Sequence, residues 1–358
     1  MEPNKEFGRK SKREFSPRAA VSNPQGRFET YEIIREEKTS PSLQTTTVKT
    51  NARTIITRNQ SPDVPFELSI NPYQGCEHGC IYCFARPSHS YHNLSPGLDF
   101  ETIIFAKPNA PTLLRNELSH LGYLCKEIVL GANTDPYQPI ERELKISRKM
   151  LEVMLEFKHP VSVITKSHLI LQDLDLLVEL AKESLISVNV SVTTLDYELA
   201  RRMEPRATQP KKRLEVIQRL SYEGIPVCVL ASPMIPGLND MELEKILEAC
   251  SKAGAKWAGY ILVRLPYEIK DLFSEWLDTH YPLKKQKILH LIREVRGGRL
   301  YDNRWGKRMK GEGMYAKLLQ KRFEVATRKF KLNQNRLCLD TTKFVKPLKG
   351  VSQQLPLL

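Results

Sequence analysis

Phe66-Glu-Leu-Ser-Ile-Asn-Pro-Tyr-Gln-Gly-Cys-Glu-His-Gly-Cys-Ile-Tyr-Cys83 runs from a short apolar strand into a glycine-containing turn that carries three cysteines. The spacing is C-x3-C-x2-C, at Cys76, Cys80 and Cys83. Three thiolates so spaced can hold three irons of a [4Fe–4S] cluster, which normally takes four cysteines. No fourth cysteine lies nearby, so one iron is left for a ligand from outside the protein. The competing use of these thiols is a structural zinc, with His78, His89 or His92 as fourth ligand. Zinc sites more often pair two C-x2-C halves, and the chain has no second half.

Outward from this loop, strand-like and helix-like stretches alternate. Apolar runs at 66–70, 127–131, 161–165, 186–193, 226–231 and 257–264 are separated by helical patterns at 111–121, 146–157, 170–183, 212–224 and 241–253. A sixth helix is expected at 267–277 and an extra strand at 101–106. Asp240 is a candidate N-cap, and Gly224 and Gly254 stand where helix C-caps belong. Such repeats read as βα units on a parallel sheet. Six units make a partial (βα)6 TIM-like barrel, whose ligand end is the C-terminal edge of its strands. The cysteine loop, Gly131-Ala-Asn-Thr-Asp-Pro136, Thr165-Lys-Ser167 and Met234-Ile-Pro-Gly-Leu-Asn-Asp240 all fall on that edge.

The fourth run shows which way it faces. Ile186, Val188, Val190 and Val192 alternate with Ser187, Asn189, Ser191 and Thr193. Period two puts the two sets on opposite faces. With helices outside, the polar set is expected to line the barrel interior; the plainer use is a solvent-exposed strand face.

The chain has 358 residues, 41% of them hydrophobic, and a net charge of +14. Residues 281–350 hold 20 lysines and arginines against five acids, a surplus as large as the whole chain's. Tyr301, Trp305, Tyr315, Phe323 and Phe330 lie among these cations. Cations for phosphates and aromatics for bases make a nucleic-acid footprint; the same features would also suit a basic helix covering the barrel's open edge. Residues 1–60 are polar and read as a surface arm, 61–281 as the barrel, 282–342 as a basic helical extension and 343–358 as a flexible tail. Seven cysteines, three of them clustered, are no secreted disulfide framework, and no secretory signal is visible, so a reducing cytoplasm is expected. No apolar run reaches the roughly 18–20 residues of a membrane helix, so no membrane is expected as a partner.

C-x3-C-x2-C with an aromatic before its third cysteine, after the first strand of a βα barrel, resembles the radical S-adenosylmethionine (radical SAM) superfamily. The stretches 66–86, Thr134-Asp-Pro-Tyr-Gln-Pro139 with Glu141, Thr165-Lys166, Ser191-Val-Thr-Thr-Leu-Asp196 and Glu204-Pro-Arg206 resemble its spore photoproduct lyase-like branch, described as DNA repair photolyase-like. Ser22-Asn-Pro-Gln-Gly-Arg-Phe28 and Gly311-Glu-Gly-Met-Tyr315 match elements of one subgroup. The resemblance implies an enzyme with a [4Fe–4S] cluster and S-adenosyl-L-methionine as cofactors. It makes a 5′-deoxyadenosyl radical that abstracts hydrogen from substrate, with an outside electron donor.

By position, the resemblance makes Cys76, Cys80 and Cys83 the iron ligands. Tyr82 is expected near the adenine, Asn133, Thr134 and Asp135 near the cofactor's amino group, Lys166 on its carboxylate and Ser191 on its ribose or carboxylate. Each has a plainer use: Tyr82 as core, the Asp135 turn as a cap, Lys166 as a surface lysine. True spore photoproduct lyases have a cysteine just before the Asp-Pro turn that is held to return a hydrogen atom; this chain has Ala132. Tyr73 and Tyr137 are the alternative donors. The resemblance also favours DNA as substrate, with RNA or a protein side chain as alternatives and a metal-stabilised, non-catalytic nucleic-acid-binding protein as the reading of another class. Gln354-Leu-Pro-Leu-Leu358 resembles a sliding-clamp docking peptide.

Overall fold

The computed structural model describes residues 18–28 and 44–347. Ten strands are present among them: β1 (Thr46–Lys49), β2 (Thr57–Arg58), β3 (Leu68–Ile70), β4 (Tyr73–Gln74), β5 (Ile103–Ala106), β6 (Ile128–Leu130), β7 (Val161–Thr165), β8 (Ile186–Ser191), β9 (Val227–Met234) and β10 (Trp257–Leu262). The helices are α1 (Leu98–Thr102), α2 (Ala110–Ser119), α3 (Glu141–Leu144), α4 (Ile146–Glu156), α5 (Leu174–Lys182), α6 (Tyr197–Met203), α7 (Pro210–Tyr222), α8 (Leu243–Lys252), α9 (Ile269–His280), α10 (Lys285–Glu294) and α11 (Gly313–Lys329).

Seven strands form one sheet in the order β10-β9-β8-β7-β6-β3-β2. Its six long-range strands are all parallel and only β2, at the edge, is antiparallel. This is the partial barrel that the alternating pattern predicts. Val188, Val190 and Val192 are buried in one cluster with Leu177 and Leu180 of α5 and Val216, Ile217 and Leu220 of α7. On the other face the Ser162 and Ser187 hydroxyls meet at 2.8 Å, and Asn189 Nδ2 donates to Ser162 Oγ at 2.8 Å. The polar set therefore lines the interior as a cross-strand ladder.

Several expectations are corrected. The extra strand expected at 101–106 is present as β5, though 101–102 end α1, and it pairs in parallel with β1 and antiparallel with β4, outside the barrel sheet. Residues 1–60 are more than a surface arm, because β1 and β2 lie there and Ala19 and Ala20 are buried. Residues 168–173 form a 3-10 turn, N-capped by Ser167, before α5 begins. Asp240 caps no helix; its carboxylate accepts from Gly237 N–H and from Tyr315 hydroxyl instead. Gly224 and Gly254 do close α7 and α8, at φ +77° and +109°.

The C-terminal part closes the barrel twice. Between α10 and α11 the chain bridges the two edges of the sheet. Leu262 N–H at the end of β10 donates to Met309 O at 2.9 Å, while Arg308 Nε donates to Asp63 Oδ2 in the turn after β2 at 2.5 Å. Helix α11 then packs on α8, with Ala316, Leu319 and Ala326 buried and Arg322 paired to Glu244 at 2.7 Å. Residues 333–346 run across the N-terminal ends of the strands. Asn333 bonds both backbone groups of Ala258 (2.8 and 3.0 Å), Asp340 N–H donates to Ser184 O at 3.0 Å, and Val345 N–H donates to Phe157 O at 3.0 Å. The expected flexible tail from 343 is thus anchored as far as Lys346, whose ammonium donates to His120 O at 2.7 Å, and Gln354–Leu358 lie outside the described residues.

Candidate active site

The cysteine loop is held by side chains from every neighbouring segment. Arg86, fully buried, donates from Nε to Cys80 O (2.9 Å), from Nη2 to Gly79 O (3.0 Å) and to Glu101 Oε1 (2.5 Å), and from Nη1 to Pro96 O and Gly97 O (3.0 and 2.9 Å). Glu101 also accepts from Ala19 N–H and Ala20 N–H (3.2 and 2.9 Å), tying the N-terminal segment to the loop. Gly79, at φ +63°, lies so close that a Cβ there would meet Glu101 Oε2 at 2.5 Å. Glu77 accepts from Ile140 N–H and Arg206 Nη2 (3.0 and 2.8 Å), and its own N–H donates to Gln138 Oε1 at 2.9 Å.

Cys76 and Cys80 are buried, Cys83 is half-buried, and all three thiols are free of disulfides. Burial, then the Glu204 carboxylate, pushes the Cys80 thiol up to about 12, with Lys166 pulling against the shift. A bound cation is what would make such a thiol a thiolate. Of the histidines that could complete a zinc site, His78 faces Asp135 (Nδ1–Oδ2 3.3 Å), His89 Nε2 donates to Ile103 O at 2.9 Å and His92 Nε2 to Gln74 Oε1 at 2.9 Å. Among the described residues no three His, Cys, Asp or Glu side chains converge on one ion. Cys76, Cys80 and Cys83 are three free thiols of one loop, and they are the residues that would hold a cube taking one thiolate per iron.

Gly131, at φ +93°, turns the chain sharply after β6; a Cβ there would meet Pro136 Cδ at 2.5 Å and Ile164 O at 2.8 Å. The turn presents the three expected polar residues differently. Asn133 is exposed, its N–H donating to Asn71 Oδ1 at 2.9 Å. Thr134 is buried and its hydroxyl donates to Gly75 O at 2.7 Å, just before Cys76. Asp135 accepts from Thr165 hydroxyl (2.7 Å), Lys166 N–H (2.7 Å) and Tyr137 N–H (2.9 Å) and faces His78. Burial opposes its ionisation, but His78 and these donors win and hold the carboxyl down at about 2.

Tyr82 and Lys166 come together: the ammonium lies 6.0 Å from the centre of the Tyr82 ring. Burial works to lower the Lys166 pKa, but Cys80 and Glu204 outweigh it and raise it. The Tyr82 hydroxyl donates to Glu204, which also accepts from Thr193 hydroxyl (2.7 Å) and Arg213 Nη2. Ser191 is buried at the end of β8, and its carbonyl accepts from Arg213 Nη1 at 3.0 Å. Tyr73 and Tyr137 are both fully buried, their hydroxyls donating to Glu141 and to Asp173 (3.0 Å) respectively.

Sequence reasoning did not assign roles to Glu204, Arg213, Arg86 or Glu101. Glu204 stood in a quoted motif, Glu204-Pro-Arg206, so a buried acid there was within reach; the partners of the two arginines lie too far along the chain to pair by inspection. A surface cleft lies at Lys145, Arg148 and Asp173–Asp175, where Arg148 pairs with both aspartates.

A sequence model of the radical SAM superfamily matches residues 70–250. The chain belongs to the radical SAM superfamily. It is a radical SAM enzyme, and the cofactors of the family are a [4Fe–4S] cluster and S-adenosylmethionine. An uncharacterised protein of Mycobacterium tuberculosis is 34% identical over 232 residues, 64% of this chain and 68% of the relative. One of Methanocaldococcus jannaschii is 31% identical over 173 residues, 48% of this chain and 62% of the relative. Among solved structures, a spore photoproduct lyase variant superposes with a TM-score of 0.60 at 15% identity, over 83% of this chain and 85% of that one. The lyase complexed with dinucleoside spore photoproduct superposes with a TM-score of 0.59 at 15% identity, over 79% of each. At that identity the likeness is one of fold. Among the described residues no helix is long and apolar enough to cross a membrane.

Proposed function

We propose that this radical SAM enzyme acts on nucleic acid, DNA foremost, by abstracting a hydrogen atom from a base or sugar. The observation that carries the reading is the basic segment 281–350, whose bridge between α10 and α11 lies across the barrel's two edges. Polyanion binding is the use that most directly suits such a charge surplus, part of which lies on the bridge beside the end of β10. The fold of a lyase that has been solved with a dinucleoside lesion supports the same direction.

Cys76, Cys80 and Cys83 would hold the cluster, which with S-adenosylmethionine supplies the 5′-deoxyadenosyl radical. The chain's own residues position and shield. Lys166, with no hydrogen-bond acceptor among the described residues, offers an ammonium to the cofactor's carboxylate. Tyr82 presents a ring whose edge is fixed by Glu204. Asp135 locks the turn after β6 to the end of β7, leaving Asn133 exposed at the rim to meet the cofactor's amino group. Ser191 stands inside for the ribose or carboxylate. Ala132 brings no thiol to the rim, and the Tyr73 and Tyr137 hydroxyls must leave a carboxylate before either can return a hydrogen atom. The reductant is a separate electron donor, and clamp docking through Gln354–Leu358 would deliver the enzyme to DNA.

The test is isotopic. Anaerobically reconstituted protein with reductant, S-adenosylmethionine and deuterated DNA should yield deuterated 5′-deoxyadenosine. Label arriving only from RNA or from protein would overturn the DNA reading.

A further inference from the structure

Arg264 follows β10 at the barrel mouth and has no carboxylate partner among the described residues. Its Nε is buried without a hydrogen-bond partner, its Nη1 donates to the Met309 thioether sulfur at 3.6 Å, and its remaining side-chain partner is the neutral Tyr301 hydroxyl. Burial lowers its pKa, the Tyr301 hydroxyl beside it opposes that, and Arg308 adds to it. Asp63, an acid whose charge acts on Arg264, already accepts from Arg308 Nε and Gly306 N–H (2.5 and 2.6 Å). Arg296, close enough to feel Arg264, is held by four carbonyls, those of Leu262, Val263, Lys307 and Arg308, and likewise has no carboxylate. A desolvated guanidinium without an anion is costly, and its rigid fork suits a phosphate.

The same guanidinium lies 4.9 Å from the centre of the Phe84 ring. Phe84 directly follows the last cluster cysteine, yet it is 43% exposed. An exposed phenyl beside a reactive centre, backed by a cation, is a platform on which a base of any identity can stack. Trp305, 57% exposed, lies on the bridging segment with Arg308 4.1 Å from its ring centre.

We propose that Arg264 and Phe84 form the seat of one nucleotide of the substrate strand, the guanidinium taking its phosphate and the phenyl ring its base. The inference rests on the nucleic-acid reading above and deepens it: it places the reacting nucleotide between the cysteine loop and the end of β10. A base so stacked must be out of a duplex, so single-stranded or unpaired nucleotides are the preferred ligand. Trp305 would stack the neighbouring base.

The experiment is fluorescence anisotropy of a labelled single-stranded oligonucleotide against full-length, cluster-loaded protein across a salt series. Arg264→Gln should weaken binding roughly 10–100-fold, the loss of one charge-assisted contact. It should also lower the salt slope by about 0.7, the share of one phosphate on a single strand. Arg264→Lys should recover the slope and only part of the affinity. Phe84→Ala, an exposed position that does not threaten the fold, should weaken binding about tenfold and leave the slope unchanged. Wild-type affinity and slope in both Arg264→Gln and Phe84→Ala would overturn this seat while leaving the nucleic-acid reading standing. No binding by the wild-type protein at low salt would overturn both.

Discussion

The Tyr82 hydroxyl donates to the Glu204 carboxylate, 122 residues further along the chain, and that carboxylate also takes the buried Arg213 guanidinium. Two chain-distant charges thereby fix the aromatic that precedes Cys83. Glu204→Ala leaves Arg213 with only the carbonyls of Ser191 and Thr208, so it should cost about 3–5 kcal/mol in denaturant unfolding. Tyr82→Phe leaves the ion pair intact and should cost about 1 kcal/mol. Burial raises the Glu204 pKa, but Arg213, Lys166 and the hydroxyls win and bring it to about 2. Its stabilisation is therefore full above the ordinary pKa of 4.5 and is lost as pH falls to about 2.

Lys166 separates cofactor binding from folding. It forms no hydrogen bond from its ammonium among the described residues, so Lys166→Met loses only the attraction to Glu204 and should lower the unfolding midpoint slightly, by far less than Glu204→Ala does. S-adenosylmethionine affinity, measured by equilibrium dialysis of reduced protein, should fall roughly 10–100-fold. A lowered midpoint with unchanged affinity would make Lys166 structural.

Arg86 and Glu101 hold the cysteine loop shut. Glu101→Ala leaves the Arg86 charge buried and frees the N-terminal segment at Ala19 and Ala20. It should lose about 3–5 kcal/mol of stability and most of its iron after reconstitution. Iron content equal to wild type would show that the loop holds its shape without the staple.

His159 gives the fold a pH response far from the cysteine loop. It is fully buried under Phe344, bonded to Tyr123 hydroxyl at 2.8 Å and to Pro160 O at 2.9 Å. Burial drives its pKa from 6.5 down to about 4. The neutral form stabilises the fold fully above pH 6.5, and that contribution, on the order of 3 kcal/mol, is lost as pH falls through about 4. His159→Gln should flatten thermal stability between pH 6.5 and 4.

The barrel was legible because each strand is short, apolar and followed by a helical period, and because β8 alternates so cleanly from Ile186 to Ser191. The small sheet was not. β1 is polar, since Thr46–Lys49 is largely exposed, and it is a strand only because β5 supplies its hydrogen bonds. The strap at 333–346 was also invisible. It has no period of its own, and its anchors include side-chain bonds to residues 75 and 160 positions away (Asn333 on Ala258, Lys343 on Glu183) and isolated backbone bonds to Ser184 and Phe157. At the site, residue types near the cysteines were readable, but their partners were not. Asp135 could be seen as an acid at the rim; that His78, Thr165 and Lys166 N–H occupy it depends on three loops meeting.

The central claim is that three cysteines leave one iron open to S-adenosylmethionine. The most direct measurement is 5′-deoxyadenosine formed per cluster by anaerobically reconstituted, dithionite-reduced protein, compared with Cys83→Ala. Product from the wild type and none from Cys83→Ala is the predicted result. No product from wild-type protein that carries a full, reducible cluster, or equal product from both proteins, would contradict it.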